Sequence, residues 1–282
     1  MIGLVGAGYM GSGIAVSLMR GGHDVATSLA GRSERTRGLV ERYGIGVVPD
    51  LTALVSTAEI VLVVTPPDTA IDAAQDIATA AKATGSRPVV VDLNAIAPST
   101  VVRAAEILAG ADIDLVDGSI SGAPPTTRPG ARVFLSGPRA REIAALHWQD
   151  VVPVVVDGPI GQASAVKMST ASIYKGVAAI VTQALRAADH YGVLDTVVAA
   201  LGPRYADPEM VVTAAAKSDR YVGEMHEIAA AQRAAGLTPD LFEAFAAVYA
   251  DVAGTALAAG KPEDVVDDAR PIADVMVELR RR

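Results

Sequence analysis

The sequence predicts an α/β domain built on a parallel sheet, followed by an all-α domain. Three observations carry this reading. Short apolar runs alternate with helical patterns over residues 1–158, a glycine-rich turn separates the first run from the first helix, and from residue 161 every segment has helical periodicity. The break in pattern near residue 158 sets the expected domains at residues 1–158 and 159–282, joined through a long helix. With 51% apolar but only 4% aromatic residues, the chain has the Ala- and Val-rich composition of helices packed on a parallel sheet.

Charge and composition exclude several function classes. A formal charge of -8 disfavours nucleic acid or an anionic membrane as partner, since either needs a basic face. The terminal Arg280, Arg281 and Arg282 are read as complementing a helix dipole. The absence of cysteine excludes disulfides, thiolate metal sites and a cysteine nucleophile, and fits a cytoplasmic protein. The longest apolar runs, residues 60–64 and 151–156, are of strand length, so no bilayer span is expected. With the first strand at residues 2–5, no signal peptide is expected ahead of the fold.

Taken in order, residues 2–5 form a strand, Gly6, Gly8 and Gly11 follow with G-x-G-x-x-G spacing, and an apolar-periodic helix runs to Gly21-Gly22. This is a dinucleotide fingerprint in its required strand-turn-helix context, which makes the first domain Rossmann-type. Gly6 serves the tight turn, Gly8 the approach of backbone to pyrophosphate and Gly11 the close packing of helix on strand, with Tyr9 and Met10 between them. The strand over residues 24–28 ends in Ser28-Leu29-Ala30-Gly31-Arg32-Ser33. No carboxylate is present there to accept from a ribose hydroxyl, whereas Ser28, Arg32 and Ser33 suit a 2′-phosphate, so NADP(H) is favoured over NAD(H).

Strands are expected at residues 45–48, 60–65 and 88–92, with helices at 68–83 and 98–108. The turns after two of these strands place Thr65-Pro66 and Asn94 at the cofactor cleft. A strand at 113–117 leads into Gly118-Ser119-Ile120-Ser121-Gly122-Ala123-Pro124-Pro125, a loop whose N–H groups and hydroxyls suit a carboxylate. A hairpin at 132–136, a helix from Pro138 and a strand at 151–156 complete this domain. The long helix spans residues 161–191, is apolar around much of its circumference, and carries Lys167, where a substrate held between domains would lie. Helices are then expected at 194–201, 208–217 and 220–235, with further starts at Thr238-Pro239 and Pro262, and Pro271 is expected to kink or split the last. His226 and Glu227 are adjacent and do not converge on one helix face, so no metal site is expected.

These motifs together resemble the β-hydroxyacid dehydrogenase superfamily, which includes 3-hydroxyisobutyrate and 6-phosphogluconate dehydrogenases. The likeness covers about residues 1–190. Gly6, Gly8, Met10 and Gly11 match its opening motif, and Asp92, Asn94, Ala95, Pro98 and Thr100 its second element. Asp117, Ser119, Ile120, Ser121, Gly122 and Ala123 match its substrate loop, and Gly161 and Lys167 its catalytic helix. Ala163, Thr170 and Ala171 replace a glycine and two asparagines of that helix, and Tyr174 stands where the decarboxylating members carry Glu. The segment from Arg220 to Glu227 also departs from those members, as in a branch whose C-terminal domain has no assigned substrate.

The resemblance implies an oxidoreductase that moves a hydride between NADP(H) and a small hydroxy acid or its semialdehyde or keto form. Lys167 would be the general acid/base, its pKa lowered by burial; Ser121 and Gly122 would hold a carboxylate. Thr170 and Tyr174 share the Lys167 helix face and become candidate substrate contacts. The long helix implies a homodimer, because related enzymes pair through theirs. The alternatives are an imine reductase, which typically carries Asp or Tyr in place of Lys167, and a non-catalytic NADP-binding module.

Overall fold

Runs such as IGLV, IVLV and VVVD are apolar at every position because the strands they form are covered on both faces. The computed structural model describes residues 1–260 and 270–280 and divides into two units, Met1–Met168 and Ser169–Arg282. In the first unit the strands are β1 (Ile2–Val5), β2 (Val25–Ser28), β3 (Gly46–Val48), β4 (Ile60–Val63), β5 (Val89–Asp92), β6 (Leu115–Ser121), β7 (Ala131–Ser136) and β8 (Val151–Val155). They form one eight-stranded sheet in the order β3-β2-β1-β4-β5-β6-β7-β8. Strands β1 to β6 are parallel; β7 runs antiparallel to β6 and parallel to β8. The order reverses between β1 and β4, and the crevice beyond the carboxyl ends of those two strands is where an open α/β sheet binds its ligand.

Alternate residues along the strands feed two cores. Leu4, Leu62, Val91 and Val116 pack with Ile14 and Leu18 of α1 (Tyr9–Arg20), Val40 of α2 (Glu34–Tyr43) and Ile143 of the later helix α6 (Ala140–Ala144). Val5, Val61, Val63 and Val90 pack with Leu54 of α3 (Leu51–Thr57), Ile77 of α4 (Ala70–Thr84) and Leu108 of α5 (Pro98–Ala109) on the other face. Helices α2 and α3 were not anticipated from periodicity. Only Val40 of α2 is buried, so it has no apolar stripe to read, and its start is fixed by Ser33, whose side chain accepts from the Thr36 N–H. The seven residues of α3 are too few for a pattern, and Asp50 caps it through the Ala53 N–H. The expected helix from Pro138 shrinks to the five residues of α6, and the expected hairpin is β6 and β7 joined by the longer excursion of residues 122–130.

Helix α7 (Gln162–His190) starts in the first unit and continues into the second, which also contains α8 (Leu194–Leu201), α9 (Pro208–Ala216), α10 (Ser218–Ala234), α11 (Asp240–Ala253) and α12 (Ile272–Leu279). Val181, Leu185, Val211, Val212, Val252, Val275 and Met276 form a core among α7, α9, α11 and α12. Pro271 is the residue before α12, where a proline costs no hydrogen bond and its fixed φ suits the start; the helix it was expected to kink or split begins outside the described residues. The helix expected from Pro262, and Arg281 and Arg282, lie outside the described residues. Arg280 caps no dipole alone, since its guanidinium donates twice to Asp189 at 2.9 Å. Among the described residues no helix is long and apolar enough to cross a membrane.

Candidate active site

The glycine-rich turn is built by exclusion. Gly6 has φ +95, and a Cβ there would strike the carbonyl of Val64; a Cβ on Gly11 would strike the carbonyl of Gly6. These two glycines let β1, α1 and the end of β4 meet. At Gly8 a Cβ would meet no atom within 4 Å, so its missing side chain leaves open space at the start of α1. Gly8 is the N-cap of α1 and offers no side-chain cap, and the first turn, which includes Tyr9 and Met10, has no acidic residue. Unpaired first-turn N–H groups facing open space are what a pyrophosphate needs, so these residues fit a dinucleotide.

The carboxyl end of β2 supplies the next wall. Ser28 accepts from the Ala30 N–H at 3.3 Å, and Arg37, unremarked in the sequence, braces the loop by donating to the Leu29 carbonyl at 2.9 Å. Arg32 is exposed and makes no ion pair among the described residues, whereas the Ser33 hydroxyl is engaged in capping α2. Thr65-Pro66 follows β4, and the buried Asn94 follows β5. Asn94 is turned inward: its Oδ1 accepts from the Thr65 N–H at 2.6 Å, and its Nδ2 donates to Asp92 at 3.1 Å. It therefore clips the two loops of the cleft together.

The substrate loop and the start of α7 are joined by a buried polar cluster. Asp117 is fully buried, and its Oδ2 accepts from Ser136 Oγ (2.7 Å), the Gly161 N–H (2.8 Å) and the Ser164 N–H (3.2 Å). Its Oδ1 accepts from Ser164 Oγ at 2.6 Å. Ser119 Oγ donates to the Ala163 carbonyl at 2.9 Å, and Ser136 Oγ accepts from the Ala163 N–H at 3.0 Å. A carboxylate at a helix start satisfies its orphan N–H groups and complements its dipole. The sequence shows Asp117 only as a motif position; its work as the anchor of α7 depends on a contact 44 residues away.

So anchored, α7 carries Lys167 half-buried, and its Nζ donates to the Ile120 carbonyl at 2.6 Å. Ile120 directly precedes Ser121 and Gly122, so the ammonium lies beside the segment expected to hold substrate; residues 118–121 of that segment, expected as loop, are the end of β6 paired with β7, and the chain leaves the sheet only at Gly122. Gly122 has φ +123, and a Cβ there would lie 3.1 Å from Ala131 Cα. Residues 122–130 then fold back on α1: Pro124 and Pro125 come within 3.0 Å of a Cβ built on Gly13, and the Tyr9 hydroxyl meets Thr127 Oγ1 at 2.6 Å. Cofactor turn, substrate loop and Lys167 thus share the first unit. Thr170 and Tyr174 belong to the second unit and are both exposed, Tyr174 at 74%, while Ala171 is buried. His226 pairs with Glu243 at 2.7 Å, and among the described residues no group of three or more candidate ligands is placed to hold a metal.

Residues 1–148 match the family model for the NAD binding domain of 6-phosphogluconate dehydrogenase, and residues 188–252 match a domain of unknown function, DUF1932. An uncharacterized 28.5 kDa protein in the 7S RNA 5′ region of Methanothermus fervidus is 27% identical over 211 residues, covering 73% of this chain and 79% of that protein. A solved conserved protein of unknown function, reported to reveal structural similarity with 3-hydroxyacid dehydrogenases, is 25% identical with a TM-score of 0.65, covering 89% of this chain and 96% of its own. The 3-hydroxyisobutyrate dehydrogenase of Salmonella typhimurium shares the fold at a TM-score of 0.70 and 16% identity, over 94% of this chain and 98% of its own. With its glycine turn, switch-point cleft and matched N-terminal half, the chain belongs to the family of the 6-phosphogluconate dehydrogenase NAD-binding domain.

Proposed function

We propose that the chain catalyses reversible hydride transfer between NADP(H) and a small, carboxylate-bearing hydroxy acid or its semialdehyde or keto form. The observation that carries this is Lys167 Nζ at 2.6 Å from the Ile120 carbonyl, one residue from Ser121-Gly122. Bound NADP(H) supplies the hydride acceptor or donor. Lys167 exchanges the substrate hydroxyl proton, and the Ile120 carbonyl orients its ammonium. Ser121 and Gly122 receive the carboxylate, with Thr170 and Tyr174 as further substrate contacts. Gly6, Gly8, Tyr9, Met10 and Gly11 take the pyrophosphate, and Thr65, Pro66 and Asn94 shape the nicotinamide side of the cleft.

Preference for NADP(H) over NAD(H) rests on Ser28, Arg32 and Ser33, in a loop that contains no carboxylate. Residues 159–282 act as the substrate and dimerisation domain. A homodimer through α7 is supported by its exposed Ile173 (66%) and Ile180 (56%), and a cytoplasmic setting accords with a cysteine-free chain.

The test is Lys167→Ala, assayed with NADPH and small semialdehydes, and with NADP+ and hydroxy acids. Loss of a general acid/base lowers kcat by about 10²–10⁴-fold while NADPH affinity stays at the wild-type value. Unchanged turnover in the variant would overturn the role of Lys167. If the wild-type enzyme reduced only imines, the chain would be an imine reductase, and tight NADPH binding with no turnover of any of these compounds would make it a binding module.

A further inference from the structure

The first unit contains a cavity that the proposed reaction does not use. It measures about 310 Å³, within the size range of small-molecule sites, and lies between α5, the residues entering β6, and Pro138, Arg139 and Ile160. Leu115 in its wall is the first residue of β6 and Ser121 is the last, so strand rise separates the cavity from the candidate active site by about 20 Å. The space originates in α5. Val101, Ala104 and Leu108 of that helix enter the core, while Ala105 and Ala109, one turn apart on the adjacent face, leave open the room in front of Ile113, Leu115 and Ile160.

The walls are mostly apolar, and the charged groups at the rim leave negative charge to spare. Arg139 donates through Nε and Nη2 to Glu142 at 2.8 and 2.7 Å, and through Nη1 to Asp114 at 3.4 Å. All three of its nitrogens thus face a carboxylate, and no edge of the guanidinium remains for an anion. Glu106 also lines the cavity; it is exposed, and its carboxylate makes no hydrogen bond or ion pair among the described residues. Two carboxylates and one fully matched guanidinium therefore stand over an apolar floor. An anionic occupant would meet repulsion there without a donor to answer it, whereas an ammonium on an apolar body complements both the rim and the floor.

We propose that this cavity binds a small primary amine, its hydrocarbon body held between α5 and Ile160 and its ammonium at Glu106. The assignment stands independently of the reaction proposed for Lys167, because it is read by binding and not by turnover. The experiment is calorimetric titration of the full-length protein, without nucleotide, with 2-phenylethylamine, 2-phenylethanol and phenylacetate, which keep the ring and change the head group. It compares wild type with Glu106→Gln and Ala105→Leu, each checked by circular dichroism. Ala105→Leu extends a side chain into room that is already open, so it fills the cavity without overpacking the core.

The amine binds wild type with a Kd of about 1 mM, as suits a ligand of this size. Phenylacetate binds about tenfold or more weakly, and the neutral alcohol falls between them. Glu106→Gln weakens the amine by about three- to fivefold, the range of an ion pair at an exposed rim, and leaves the alcohol as in wild type. Ala105→Leu weakens the amine and the alcohol alike. The proposal is overturned if the amine does not bind at millimolar concentration, or if phenylacetate binds as tightly. It is overturned too if Ala105→Leu binds the amine like wild type, since the ligand is then held elsewhere, the candidate active site included. If Ala105→Leu fails to fold, Glu106→Gln decides alone, and unchanged amine affinity in that variant overturns the assignment.

Discussion

At the scale of single residues, the three fingerprint glycines separate into two kinds that a motif match does not distinguish. Gly6 and Gly11 are required by the protein, since a Cβ at either would run into a carbonyl; Gly8 is required only by what binds there, because its φ of -73 is open to any residue and the space beside it is empty. Gly6→Ala should therefore lose about 1–3 kcal/mol of stability through strain at positive φ, whereas Gly8→Ala should unfold like wild type yet lose NADPH affinity. Urea denaturation paired with a nucleotide titration checks both, and a destabilised Gly8→Ala would refute the distinction. These positions were legible in the sequence because each is a local demand of backbone geometry. Lys167 stood out as one member of several motifs in order, but its contact with the Ile120 carbonyl, 47 residues away, was not legible. The inward turn of Asn94 was not, because the clip it makes joins loops 29 residues apart.

At the scale of elements, the placement of α7 depends on Asp117. Four donors converge on that buried carboxylate, two of them from Ser164 in the first turn of the helix and one from Gly161 just before it. Asp117→Asn keeps the shape but removes the charge and turns an amide donor toward other donors. Each lost charge-assisted hydrogen bond is worth about 1.5–3 kcal/mol, so the midpoint of chemical denaturation should fall clearly. Ser164→Ala, which removes a single hydroxyl from the same carboxylate, should cost less. Equal stability of Asp117→Asn and wild type would show that the helix is held by packing alone. The strands of the first unit and the long α7 were legible because burial writes their periodicity into the sequence. Helices α2 and α3 were not, since a polar helix held by its cap and a seven-residue helix leave no such trace. The cap residues Ser33 and Asp50 were the available signal.

At the scale of the whole molecule, most exposed large apolar side chains among the described residues belong to the second unit, and Ile173, Ile180 and Tyr191 all lie along or just beyond α7. Their spacing by 7 and 11 residues repeats one helix face, the pattern of a face with a partner. Ile180→Asp should shift sedimentation velocity from dimer to monomer at micromolar concentration while the circular dichroism spectrum is unchanged; a wild-type protein that sediments as a monomer removes the expectation. The switch from alternating to purely helical pattern was legible at this scale, whereas the pairing of Lys175 with Glu224 was not, since only the fold brings those two residues of α7 and α10 together. The link from Tyr9 to Thr127, with Pro124 and Pro125 seated on α1 at Gly13, has a thermodynamic consequence. If, as proposed, the turn takes a dinucleotide and the segment after Ile120 a second reactant, the two share one footing, so the ligand that arrives first bears the entropy of ordering both and leaves less for the other to lose. Positive cooperativity between NADPH and a hydroxy acid is then the expected outcome, checked by titrating each in the presence of the other; an affinity unchanged by the first ligand would remove it.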